Sequence, residues 1–295
     1  MGSHVNKILV PIDFSDQSAI ALSQSFNLAR EYGADITLLH VIEDGGTMGR
    51  IFSKQHDESL RKEIQTQLDE LASGVEKKTK IKVDTLIARG KAYEKIAEVA
   101  EMLDAIFIIM GCSGVPNGIK GRFIGSNALR VVRESLRPVI TVKGKHHRDG
   151  CKNIVLPLDL TKETREKVTK AIEIAKLGTG AAIRVVSVLF TSDEFVVNRL
   201  TRQLSQVKNF VEKAGIECTA EIIKGAKGED SLSENIIDYS RKVDGDIILI
   251  MTQQEIDFTE FFIGSSAQEM ILNSEIPVLS IIPSPKKDMY QFTPY

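Results

Sequence analysis

The residues best placed to do chemistry lie in a glycine-rich stretch. Gly111-Cys112-Ser113-Gly114 is followed by ten residues and then by Gly125-Ser126. An apolar run from Ala105 to Met110 precedes the stretch, and a helical pattern starting at Asn127 follows it. A buried strand, a glycine loop and a helix start, in that order, can hold an anion. Glycines let the backbone approach phosphate oxygens, and free N–H groups at a helix N-terminus point at them. Ser126 adds a hydroxyl and an N–H at the helix start, and Lys120 and Arg122 offer positive charge. The same glycines also suit a plain tight connection. Asp13, at the end of the first apolar run, is the second candidate. An ionised Asp only accepts hydrogen bonds, so it suits a ligand's amino or hydroxyl group, or the cap of the next helix.

Other chemistry finds little support. Cys112, Cys151 and Cys218 have neither metal-type nor redox-pair spacing, and His146-His147 sits in a polar stretch that reads as linker. Cys112 reads as a small residue tolerated in a turn, with a redox role as the alternative. With 38 basic and 40 acidic residues the net charge is -2, so no basic excess points to nucleic acid or to an anionic membrane surface. No apolar run approaches the length of a membrane span. Met1-Gly2-Ser3-His4 reads as an expression remnant, no signal peptide is expected after it, and the sparse cysteines suit a cytoplasmic setting.

The elements that must position these residues alternate. Ile8 to Ile12 reads as a buried strand, and Ser15 or Asp16 caps a helix with Ala19, Leu22, Phe26 and Ala29 on its apolar face. Gly33 ends that helix. Ile36 to Val41 is the second strand, and His40 near its end reads as a satisfied polar group. A long helix follows with Leu60, Ile64, Leu68, Leu71 and Val75 on one face. Val83 to Ala88, Ile106 to Met110 and Pro138 to Val142 complete five strands, with helices at Tyr93 to Leu103 and from Asn127 to about Ser135.

The pattern then repeats. Asn153-Ile154-Val155-Leu156-Pro157-Leu158-Asp159 restates Lys7 to Asp13. Phe123-Ile124-Gly125-Ser126 returns as Phe262-Ile263-Gly264-Ser265, and Pro138-Val139 as Pro277-Val278. Ile183 to Leu189, Cys218 to Ile223 and Ile247 to Met251 supply the intervening strands. The chain therefore divides into residues 5–144, residues 151–283 and a tail of residues 284–295. Alternating helices and continuously apolar strands imply α/β units, each a parallel sheet covered on both faces. Ligands of such sheets bind beyond the carboxyl ends of the strands, where the strand order reverses. Asp13 and Gly111 would face one crevice there if their strands are neighbours.

Val10-Pro11-Ile12-Asp13-Phe14-Ser15, the glycine loop and Pro138-Val139 occur in the order seen in the universal stress protein family, which the chain resembles as two tandem copies. The resemblance implies two doubly wound five-stranded parallel sheets of order 3-2-1-4-5, of the adenine nucleotide alpha hydrolase-like kind. Some members of that family bind ATP and others do not. Their ATP-binding pattern is Gly, two residues, Gly, nine residues, then Gly with Ser or Thr. Gly111, Gly114, Gly125 and Ser126 match it, with ten residues in the second gap and an insertion expected near Pro116-Asn117-Gly118. By resemblance, Asp13 accepts hydrogen bonds from adenine or an adjacent group, and Pro11 and Val41 line the adenine pocket. Met110 and Gly111 pass beside the ribose, while Gly114, Gly125, Ser126 and the Asn127 backbone hold phosphates. Mg2+ would accompany ATP, although no residue announces a site for it.

In the second copy Thr252 aligns with Gly111 and Glu255 with Gly114, while Gly264-Ser265 remains. A carboxylate repels phosphate, and side chains at the glycine positions block close backbone approach, so this copy is expected not to bind ATP in the family mode. Three readings follow. The first is a cytoplasmic ATP-binding regulatory stress protein whose state an unknown protein partner reads. The second is an interaction scaffold that binds no ATP. The third is an enzyme, at most a weak ATPase, for which no base stands beside a nucleophile. Pairing of the two fifth strands within the chain would make an internal pseudo-dimer, with a homodimer of whole chains also open.

Overall fold

The computed structural model describes residues 5–43, 54–112, 126–147, 150–159, 164–225, 232–254 and 261–283. The first half runs β1 (Asn6–Pro11), α1 (Asp16–Glu31), β2 (Ala34–Ile42), α2 (Lys54–Thr79), β3 (Val83–Arg89), α3 (Ala92–Met102), β4 (Phe107–Gly111), α4 (Ser126–Glu134) and β5 (Val139–Val142). The second half repeats it with β6 (Asn153–Pro157), α5 (Thr164–Leu177), β7 (Ala182–Leu189), α6 (Glu194–Lys213), β8 (Glu217–Lys224), α7 (Leu232–Lys242) and β9 (Ile247–Met251). A two-stranded ribbon of β10 (Gln253–Gln254) and β11 (Phe261–Phe262) then leads to α8 (Ser265–Asn273) and β12 (Val278–Ile281).

Among the described residues the ten longer strands form one sheet in the order β3-β2-β1-β4-β5-β12-β9-β6-β7-β8. Each half has the expected 3-2-1-4-5 order, and every pairing within a half of this sheet is parallel. The halves meet through β5 and β12, which pair antiparallel with Leu279 opposite Ile140.

Strand alternation sorts the apolar residues into two layers. Ile8 and Val10 face a layer closed by α1 and α2, whereas Leu9 faces one closed by α3 and α4. Both layers continue into the second half. Along α2 the residues Ile64, Leu68, Ala72 and Val75 are buried at helical spacing, while Leu60, near the start, is 38% exposed. On α6 the residues Leu200, Leu204 and Val211 are buried at helical spacing. The left-handed Gly33 (φ 57) follows α1 and lets the chain turn into β2.

The ladder revises one alignment between the copies. Gly111 lies opposite Val142, and Met251 opposite Ile281, each pair at the end of its strands. The next residues, Cys112 and Thr252, donate their N–H to the same two carbonyls at 2.8 and 2.9 Å. Thr252 therefore corresponds to Cys112, and the residue in Gly111's place is Met251. The Met251 side chain packs into the core layer that α1 and α5 share. The expected match of Thr252 with Gly111 is therefore one residue late.

Candidate functional site

The strand order reverses between β1 and β4, because β1 leads outward to β2 while β4 leads to β5. A cleft of about 180 Å3 opens there, beyond the carboxyl ends of the strands. Pro11, Asp13, Val41, Met110, Gly111 and Asn127 all line it. Gly114 and Gly125 lie outside the described residues, as do Lys120 and Arg122. Ser126 begins α4, and its side chain is likewise outside the description. Ile12, Ser15, Gln17, Ser18, Leu39, Ala92, Ile96 and Ala128 complete the walls, with His40. Of these the sequence marks Ser15 as a helix cap and His40 as a satisfied polar group. The small and apolar ones carry no chemical mark, and only the folded arrangement brings them to the cleft.

Each wall has a local cause. Ile12 extends the β1–β2 ladder by donating its N–H to Leu39 O at 2.8 Å. Phe14 then takes a positive φ of 61°, uncommon for a side-chain-bearing residue, and turns the chain into α1. Ser15 caps α1, its hydroxyl accepting from the Ser18 N–H at 3.3 Å. Opposite, the Glu43 carboxylate accepts from the Ala92 N–H at 3.2 Å, which anchors the start of α3. Arg130 of α4 lies 5.1 Å from the Tyr93 ring and ties α3 to α4.

Asp13 is exposed at the cleft mouth. Its Oδ1 accepts from the Ser15 N–H at 3.0 Å and from the Ser15 hydroxyl at 2.5 Å. Partial desolvation alone would raise this carboxyl, but the Ser15 bonds, together with the Ser18 side chain and the local backbone, outweigh it and hold the group below its ordinary value. Asp13 is thus a firmly ionised acceptor whose Oδ2 takes no bond from Ser15.

Gly111 meets a different demand. A Cβ there would stand 2.6 Å from the backbone carbon and oxygen of Gln17. Its smallness lets β4 and the first turn of α1 touch. Gln17 in turn exchanges two 3.2 Å bonds with the backbone of Gly144 beyond β5. Cys112 is 1% exposed, and burial pushes its thiol up while Lys143 pulls it down. A buried thiol held in its neutral form suits packing rather than redox chemistry.

The second half has a cleft at the matching reversal, of about 440 Å3. Its walls are largely apolar, with Leu158, Phe190, Ile236 and Met251 among them. Asp159, the counterpart of Asp13, lies 3.9 Å from the Lys167 ammonium. Glu255 lies outside the described residues. Among the described residues no group of three or more His, Cys, Asp or Glu is placed to hold a metal ion, and no helix is long and apolar enough to cross a membrane.

A duplicated doubly wound α/β chain with a cleft at each strand reversal is the class that fold and site define. Within that class the chain belongs to the universal stress protein family, which matches residues 4–143 and again residues 150–281. Universal stress protein YxiE of Bacillus subtilis is 30% identical over 147 residues, 47% of this chain and 99% of that protein. A universal stress protein of Archaeoglobus fulgidus shares the fold over 95% of this chain and 97% of its own, with a TM-score of 0.73 and 20% identity. Another from Archaeoglobus fulgidus, solved in complex with dAMP, aligns with 45% of this chain and 97% of its own at 26% identity and a TM-score of 0.35.

Proposed function

We propose that this chain is a regulatory stress protein that binds ATP in the cleft of its first half. The observation that supports this best is the convergence of an ionised acceptor, apolar walls and a helix start on one reversal point. Val41, Met110, Ile96 and Ala128 would flank the base, and Asp13 would accept from its amino group or a ribose hydroxyl. The backbone at Asn127, in the first turn of α4, would face a phosphate. The cleft of about 180 Å3 lies below the roughly 300 Å3 usual for small-molecule sites, so it suits the base end of the ligand. The triphosphate would then extend toward Gly114 and Gly125, with Mg2+ arriving on it. Three free, buried cysteines agree with a cytoplasmic setting. The β5–β12 pairing supports treating the chain as an internal pseudo-dimer, whose nucleotide state a protein partner reads.

Two observations favour the second reading, a scaffold that binds no ATP. Asp13 already serves Ser15, and Gly111 already serves Gln17. Thermal melting with and without ATP and Mg2+ separates the two. At one hundred times Kd, ATP should stabilise the fold by about 2.7 kcal/mol. Asp13→Asn should weaken binding by about tenfold, the loss of one charge-assisted bond. No shift at millimolar ATP, together with no nucleotide released on denaturation, would sink the binding reading.

A further inference from the structure

The two halves make one hydrogen bond in common with different side chains. In the first, the His40 Nδ1 lies 2.7 Å from the Ile12 carbonyl. In the second, the Ser187 hydroxyl donates to the Leu158 carbonyl. Ile12 immediately precedes Asp13, and Leu158 immediately precedes Asp159. The N–H groups of Ile12 and Leu158 donate to Leu39 O and Val186 O, each at 2.8 Å, one residue before His40 and Ser187. Position and bond thus persist while the residue type changes. A carbonyl can only accept, so Nδ1 carries the proton in this bond, and Nε2 is an acceptor in the neutral ring.

In the first half the same imidazole also holds the residue on the other side of Asp13. The Phe14 ring packs on it with centroids 5.2 Å apart and planes at 34°. Phe14 is the residue forced to φ 61°. The Ile12 carbonyl and the Asp13 N–H share one peptide plane, so fixing the oxygen fixes where Asp13 leaves the strand. Ile12 itself is 3% exposed, so its carbonyl would be left without a partner if the donor were removed.

We propose that His40 is a positioning residue for the first cleft: by clamping Ile12 and Phe14 it holds the Asp13 carboxylate where a ligand and Ser15 can reach it. The role toward a nucleotide rests on the ATP reading above, whereas the role toward Asp13 does not. Ser187 does the first part of this work for Asp159. Its half keeps the clamp on the backbone although its cleft has a different lining.

The test uses the full chain with His40→Phe, which keeps a ring against Phe14 but removes the donor, and His40→Ser, which installs the second half's donor. His40→Phe against the wild type isolates the donor, because a ring stays on Phe14, and His40→Ser shows whether the donor alone is enough. His40→Val, another donor loss, stands in if His40→Phe does not fold. Without nucleotide, the Asp13 carboxyl carbon is titrated by NMR and the Ser15 amide signal is followed. In the wild type Asp13 should titrate below its ordinary 3.8. It should return toward that value in His40→Phe, with the Ser15 amide signal displaced, and stay low in His40→Ser. With ATP, His40→Phe should bind about tenfold more weakly, as loss of one buried donor implies, and His40→Ser should recover most of the affinity. Unchanged Asp13 and Ser15 signals in His40→Phe, or equal changes in both variants, would overturn the assignment. A wild type that binds no ATP would remove the nucleotide reading, while the carboxyl titration would still decide the role of His40.

Discussion

Gly111 shows how one residue type can satisfy two demands. Glycine there would let a ligand pass close to the backbone, and it lets β4 touch the Gln17 backbone, where a Cβ would be 2.6 Å away. The second demand holds with or without ligand. Gly111→Ala should therefore destabilise the free protein by about 1–3 kcal/mol, the usual cost of overpacking, as measured by urea unfolding. Gly264→Ala is the control. Among the described residues nothing lies within 4 Å of a Cβ at Gly264, and its φ of -58° suits any residue, so only the modest loss of a helix-cap preference remains. Asp13 gives a prediction in pH. Its folded carboxyl lies below 3.8, so the stability it contributes is full above that value and is lost as pH falls through the lower folded one. Asp13→Asn should flatten the acid limb of a stability profile in that window and lower the neutral plateau by the contribution it removes. An unaltered acid limb would mean that Ser15 does not hold this carboxylate in solution.

Among the elements, the strands were legible because parallel strands covered on both faces are continuously apolar, and ten such runs stand out between charged helices. The 3-2-1-4-5 order was legible only through family resemblance. What escaped was contact between elements. Nothing in the sequence marks Gln17 as the neighbour of Gly111, or His40 as the partner of Ile12, since both meetings depend on where helix and strand ends come to rest. The one-residue slip at Thr252 has the same origin, because the register is fixed by ladder bonds that residue types do not mark. Charge across strands was hidden as well. The Lys7 ammonium on β1 reaches Asp35 of β2 at 3.1 Å and Asp84 of β3 at 2.7 Å. Burial alone would lower the Lys7 pKa, but these two carboxylates together carry it above 10.5. Its stabilisation is full below 10.5 and is lost as pH rises through the higher folded value. Lys7→Met should cost about 1 kcal/mol at neutral pH and remove the alkaline part of the loss, because these pairs are only partly shielded from water. Melting profiles from neutral to alkaline pH would reveal either outcome.

At the scale of the whole molecule, the two copies share one sheet and one pair of core layers, so their stabilities are coupled. Leu279 of β12 and Ile140 of β5 lie opposite each other, and both are 0% exposed. The linker reinforces the join. His147 bridges the halves: its N–H donates to the Gln24 side-chain oxygen of α1 at 3.0 Å, and its Nε2 lies 3.1 Å from the Gly245 carbonyl of the second half. A chain built this way should unfold as one unit rather than as two halves in turn. Leu279→Ala should cost about 2–5 kcal/mol, as a buried leucine truncation does, and the cost should reach across the seam. Hydrogen exchange offers the reading: amides of β1 and β4 in the first half should lose protection together with those of β6 and β9. If Leu279→Ala loosened only the second half, or if calorimetry split the melt into two transitions, the shared sheet would be a contact between independent folds. Nucleotide in the first cleft would then leave the second half's stability untouched; in a coupled sheet, ligand bound to one half protects both.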